Sequence, residues 1–117
     1  MIKRMEMGKR MSQAVVHGGV VYLAGQVAED TSLDILGQTQ QALAAVERLL
    51  AEAGSSKAQL LTMAVYLADI RDFAGMNSVY DSWIDPDNKP TRACVQALLA
   101  DPGYKVEFVA TAAVAQG

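Results

Sequence analysis

Lys89-Pro90-Thr91-Arg92-Ala93-Cys94-Val95-Gln96-Ala97-Leu98-Leu99-Ala100-Asp101-Pro102-Gly103-Tyr104-Lys105-Val106-Glu107 is the stretch on which the fold turns. Pro90 ends whatever precedes it and biases Lys89 away from helix. Arg92 enters a β-like run, Ala93 to Leu99. Asp101-Pro102-Gly103 has turn chemistry, because Pro presets φ and Gly accepts positive φ. A second strand, Tyr104 to Val114, follows at once. The stretch is therefore expected to be a β-hairpin, with Arg92 near its open end and Glu107 roughly opposite Ala97 or Leu98.

An Arg and a Glu on otherwise apolar strands are unusual, since charged side chains are rarely buried without a partner. Two readings stand open. One is a structural ion pair, or two solvated strand edges. The other is an anion clamp beside a general acid/base. Arg presents a planar fork that matches a carboxylate. A Glu in a half-buried apolar cleft suits proton transfer near neutral pH.

Upstream, Ile2 to Met7 alternates weakly, as a short edge strand does, and Lys3 and Arg4 would discourage edge-to-edge aggregation. Gln13–His17 and Val20–Val27 have strand patterns. Gly18-Gly19 between them is a hairpin turn that needs positive φ. Gly25, near the end of the second strand, marks either a bulge or the close approach of a ligand or another chain. Asp30-Thr31-Ser32 offers capping side chains for a helix from about Leu33 to Ala53. Leu36, Leu43 and Leu50 repeat at seven, with Thr39, Val46 and Leu49 beside them, and Gly54 suits the C-terminal cap. Leu60–Ala68 is nearly all apolar and so is expected to be a central strand covered on both faces. Asp69 or Asp72 caps a second helix ending near Ile84. Phe73, Met76, Tyr80 and Trp83 lie at helical spacing and are expected to pack the core. Asn77 sits mid-helix, where its propensity is poor.

The order β-β-β-α-β-α-β-β gives an α+β layer: a six-stranded mixed sheet with two helices on one face, in one domain over residues 1–117. Half the residues are hydrophobic (51%) and only 20% are charged, which is apolar for a chain of 117 residues. With one sheet face left open, an oligomer is expected.

The net charge of −3 is uneven: the first ten residues carry +3 and the rest −6. An acidic body without a broad basic patch or an aromatic strand face argues against nucleic acid as partner. One Cys excludes an internal disulfide and a multi-Cys zinc site, and with one His as well the counts argue against a metal site. No segment has the pattern of a signal peptide or membrane span, so a cytoplasmic location is expected. Cys94 lacks an obvious partner base and is expected to be a small apolar residue, not a nucleophile.

Pro90-Thr91-Arg92-Ala93-Cys94-Val95-Gln96, with Glu107 fifteen residues after the Arg, resembles the C-terminal signature of the RidA/YjgF family of reactive-intermediate deaminases. Val21-Tyr22-Leu23-Ala24-Gly25-Gln26 resembles the family's early strand ending in Ser-Gly-Gln. Asp72 to Tyr80 resembles its second helix. The likeness spans roughly residues 10 to 115. It implies a chorismate-mutase-like fold, a homotrimer with a cleft at each subunit interface, and cofactor-free hydrolysis of enamines and imines such as 2-aminoacrylate. Arg92 matches the carboxylate-binding arginine, Glu107 the acid that places water, and the Gly25 and Cys94 backbones match the pocket lining.

Two positions depart from the best-known branch: Ala24 stands at the family's serine, and Met11 at its N-terminal tyrosine. Arg10-Met11-Ser12 resembles a branch with an Arg and a Ser just before the strand. Arg10 and Ser12 are then either ligand contacts or a solvated strand start. The expected substrate is a small molecule bearing a carboxylate. The alternative is a non-catalytic module that binds small carboxylates in the same cleft. RNA cleavage, an old label in the family, is disfavoured because His17 is the only histidine and the chain is acidic.

Overall fold

The computed structural model describes residues 1–115. Strands β1 (Lys3–Met7), β2 (Ser12–His17) and β3 (Val20–Leu23) form a meander, followed by α1 (Ile35–Glu52), β4 (Leu60–Leu67), α2 (Phe73–Trp83), β5 (Thr91–Gln96) and β6 (Val106–Ala113). The expected element order holds. Gly18 and Gly19 turn between β2 and β3 with φ of 60° and 78°, which a side chain would strain.

The hairpin does not form. The sheet order is β1-β2-β3-β6-β4-β5, so β4 lies between the two strands expected to pair. β5 runs parallel to β4, with Met63 opposite Arg92 and Val65 opposite Cys94. β6 runs antiparallel to β4, with Tyr66 opposite Glu107. Glu107 therefore faces Tyr66, not Ala97 or Leu98. The cause is β4 itself. Its apolar residues Met63, Val65 and Leu67 are buried, so it takes the middle of the sheet, and α2 supplies the crossover that a parallel β4–β5 pair requires. Residues 97–105 then cross to the far side of β4 without tightening into a two-strand turn.

Both helices pack on one face of the sheet, and the core is drawn from that face: Val21, Met63, Val65, Val106 and Phe108 against Leu43, Val46, Leu50, Met76 and Tyr80. α1 starts two residues later than expected. Asp34, not the Asp30-Thr31-Ser32 run, caps it by accepting the Gly37 N–H at 2.9 Å. Asp30 instead accepts from the Ser32 N–H and hydroxyl, at 2.9 and 2.6 Å. Gly54, at φ +83°, ends the helix as expected, with Ser55 N–H on Leu50 O at 2.8 Å. Leu36, in the first turn of α1, is 42% exposed, while Leu43 and Leu50 of the same repeat are fully buried. Ahead of α2, Asp69 caps the short turn Ile70–Asp72, while Asp72 makes no side-chain cap.

On the other face, Tyr22, Thr62, Ala64, Tyr66, Glu107, Val109 and Thr111 are half-buried or exposed, and no helix covers them. β4 is thus central but covered on one face only within the chain. The outer strand β1 carries Lys3 and Arg4 exposed, as expected of an edge.

Thr39 is fully buried, and among the described residues its hydroxyl has no hydrogen-bond partner. An unsatisfied buried hydroxyl costs about 1–3 kcal/mol. Thr39→Val keeps the shape and removes that group, so thermal melts should show an unchanged or raised Tm. A clear fall in Tm would mean that the hydroxyl is satisfied.

Candidate active-site residues

Arg92 leaves β5 on the helix-covered face, in register with buried Met63. Its guanidinium donates to Asn77 Oδ1 at 2.7 Å. It also lies 4.8 Å from the Tyr80 ring centroid and 5.8 Å from that of Phe73. Each stacking contact at such an exposed position contributes about 0.5–1 kcal/mol. One amide bond and two rings hold the side chain in place without neutralising it. Among the described residues Arg92 forms no ion pair. Asn77, Tyr80, Asp81, Ile84, Lys89 and Pro90 line a groove with it, of about 280 Å³. Burial pushes the Tyr80 hydroxyl pKa above its ordinary value, with Arg92 pulling the other way.

Cys94 lies two residues on, packed against the core from the same face. Burial raises its thiol pKa, and the nearby Arg92 only partly offsets this. The group is held as a neutral thiol.

Glu107 points to the open face. β3 breaks at Ala24, and the chain returns to β6 in a single bridge between Gln26 and Phe108. The gap is filled by the Glu107 side chain. A Cβ on Gly25 would collide with Glu107 Oε2, with Cδ at 2.8 Å. The bare backbone of Gly25 is the seat of this carboxylate. Half-buried Glu107 has neither an ion pair nor a side-chain hydrogen bond among the described residues. Gln26 holds the break in shape, donating to Gln13 Oε1 at 2.9 Å and to Ala24 O at 3.1 Å.

The two charged residues do not meet within one chain. β4 separates their strands by two strand spacings, about 10 Å, and their rows are three residues apart, about another 10 Å. They also point to opposite faces. The structure brings Gly25, Ala24 and Glu107 together, and puts Arg92 and Cys94 together elsewhere. Ser12, half-buried, opens β2 beside Gln13, whose carbonyl takes the Ala24 N–H at 2.9 Å. Arg10 is exposed in the β1–β2 turn, away from both pairs of contacts described above.

The seat of Arg92 was not expected from the sequence. Asn77 and Tyr80 share one helix face by their spacing of three, and a polar residue of poor helix propensity there was the available signal. Phe73 stands 42% exposed, beside Arg92 rather than in the core. A second groove, of about 480 Å³, lies at the C-terminal ends of the two helices and meets the Arg92 groove at Ile84. Its polar groups are already engaged: Lys57 Nζ donates to Trp83 O at 2.8 Å, and Trp83 Nε1 to Glu47 Oε1 at 3.0 Å. Among the described residues, no three of His, Cys, Asp and Glu gather to hold a metal, and no helix is long and apolar enough to cross a membrane.

The family profile described as endoribonuclease L-PSP matches residues 1–114. A RutC family protein of Haemophilus ducreyi is 42% identical over 114 residues, covering 97% of each chain. The RutC family protein YoaB of Escherichia coli is 39% identical over 113 residues, covering 97% of this chain and 98% of its own. A crystal structure of a YjgF family member from Neisseria meningitidis superimposes with a TM-score of 0.96 at 39% identity, covering 100% of this chain and 98% of that one.

Gly25→Ala should displace the Glu107 side chain while leaving the fold intact, because the group in the way is the free end of a flexible side chain. The expected stability change is within about 1 kcal/mol. A crystal structure of the variant with Glu107 unmoved would contradict the seat described here.

Proposed function

The chain belongs to the endoribonuclease L-PSP family, and from that premise we propose that it hydrolyses carboxylate-bearing enamines and imines, such as 2-aminoacrylate, to 2-keto acids and ammonia. One observation carries the reading. Arg92 and Glu107 are each held by neutral contacts, each lacks an ionic partner among the described residues, and they face opposite sides of a sheet with one bare face. A single chain offers half a site twice. In this reading residues 1–117 act as one domain, and three copies close their bare faces on one another. Arg92 of one copy then reaches Glu107 of the next, in a cleft at each interface.

The chemistry needs little else. The enamine takes a proton on its terminal carbon and releases one from nitrogen, becoming an imine. Arg92 holds the substrate carboxylate as a fork. Glu107 accepts a proton from water as the water oxygen bonds to the imine carbon. That proton passes to the imine nitrogen, giving a carbinolamine; Glu107 then takes the hydroxyl proton as the carbonyl forms and delivers it to the nitrogen as the C–N bond breaks, releasing ammonia. Holding the reactants and moving protons from oxygen to nitrogen are the tasks left to the protein. The backbones of Gly25 and Cys94 line the cleft, and Ala24 and Ser12 border it where the family's usual polar contacts are absent, while Arg10 stays outside it. No cofactor enters this scheme.

An imine generated in place by an amino-acid oxidase, with semicarbazide competing for it, tests the reading. Wild type should suppress the semicarbazone. Glu107→Gln should lower kcat by about 10²–10⁴-fold, as for a lost acid/base group. Arg92→Ala should lose most activity with its fold intact. If wild type has no effect on several imines, yet pyruvate raises its Tm, the cleft binds carboxylates without turning them over. Light scattering should give a mass three times the 12.5 kDa chain.

A further inference from the structure

We infer that Gln38, in the first turn of α1, is a positioning residue that holds Glu107 over Gly25. The imine-hydrolase reading enters only through its kinetic consequence. Gln38 is fully buried, yet it carries the most connected side chain on the helix. Its Nε2 donates to Thr31 O at 3.2 Å, Leu33 O at 3.1 Å and Gly103 O at 3.0 Å. Its Oε1 accepts the Lys105 N–H at 2.9 Å. These backbone groups belong to two separate segments. One is the loop that leaves Gly25 and Gln26 for α1. The other is the crossing that leads into β6 and Glu107.

The strand needs such a device where Glu107 sits. On its β3 side, β6 is paired along residues 111–113. Beyond the break at Ala24, the Gln26–Phe108 bridge is the one backbone pairing left on that side among the described residues. Glu107 lies between that bridge and the Lys105 N–H bound by Gln38. On its other side the span is paired to β4, with Tyr66 opposite Glu107 and the Ala68 N–H on Lys105 O at 3.0 Å, so on the side that faces Gly25 it is tied by the Gln26–Phe108 bridge and by Gln38. The two loops also touch directly: a Cβ on Gly103 would lie 2.9 Å from Thr31 Cβ. A shift of the 101–105 segment relative to residues 31–33 moves Glu107 relative to Gly25, and Gln38 prevents that shift. A misplacement of about 1 Å can cost on the order of 100-fold in rate, so a residue well away from substrate can matter to turnover.

Two variants test this. Gln38→Met keeps the volume and removes every one of these hydrogen bonds. Gly103→Ala leaves Gln38 intact and pushes the loops apart, and serves where Gln38→Met fails to fold. In each folded variant, NOEs between Gly25 Hα and the Glu107 side chain should weaken or vanish, while those between Tyr22 and Thr111 persist. kcat should fall about tenfold or more with KM within about twofold, since substrate carboxylate binding is untouched. A merely stabilising role would lower Tm and leave both the NOEs and kcat of folded protein unchanged; that result overturns the inference. If wild type turns over no imine while the variants lose the Gly25–Glu107 contact, the positioning role stands and the hydrolase reading falls. If wild type is active and the contact survives in both variants, the reverse holds.

Discussion

Side chains on a β-strand alternate between the two faces of the sheet, and that alternation governs this protein. On β4, Met63, Val65 and Leu67 go to the helices, while Thr62, Ala64 and Tyr66 go to the bare side. Register then assigns every neighbour. Arg92 shares the face of Met63, and Glu107 the face of Tyr66. Slipping β6 by one residue would put Glu107 beneath the helices and strip Phe108 from the core, and slipping β5 would turn Arg92 to the bare face. Burying a large apolar side chain contributes about 1.5–3 kcal/mol, and many such side chains line the covered face, so the register is held by the core and the charged residues follow it.

Each charge is then kept available by neutral partners. A salt bridge at Arg92 would have consumed the fork that a carboxylate needs. An amide oxygen and two ring faces orient the guanidinium and leave its positive charge unspent. Glu107 rests on a stretch of backbone with no side chain, where a carboxylate can approach and water can follow. In the proposed reading, the packing of further copies covers the bare face and completes these two half-sites together.

Much of this was legible in the chain. Gly18-Gly19 and Gly54 announced their turns because glycine adopts their positive φ without the strain a side chain would bring. The element order and the covered face followed from periodicity. Arg92 and Glu107 stood out as charges on apolar strands. The pairing of the last two strands was not legible. Asp101-Pro102-Gly103 is indeed a turn, with Tyr104 N–H on Asp101 O at 3.1 Å, but a turn does not decide which strands it joins. The strand–helix–strand run from Leu60 to Gln96 already signalled a parallel crossover, and β4 had the stronger claim to the centre. Gln38 and Asn77 escaped for another reason. Each is a polar residue on a helix, and only tertiary structure shows that the first binds two loops and the second an arginine.

The central claim is that a complete site takes Arg92 from one copy and Glu107 from another. Mixing the two single variants tests it most directly. Arg92→Ala and Glu107→Gln chains, each inactive alone, are unfolded together in equal amounts, refolded and assayed for imine hydrolysis. If the site is shared, random assembly unites an intact Arg92 with an intact Glu107 at about a quarter of the interfaces, and activity returns to about that fraction of wild type. If both residues serve from the same chain, every site in the mixture lacks one of them, and the refolded protein stays inactive.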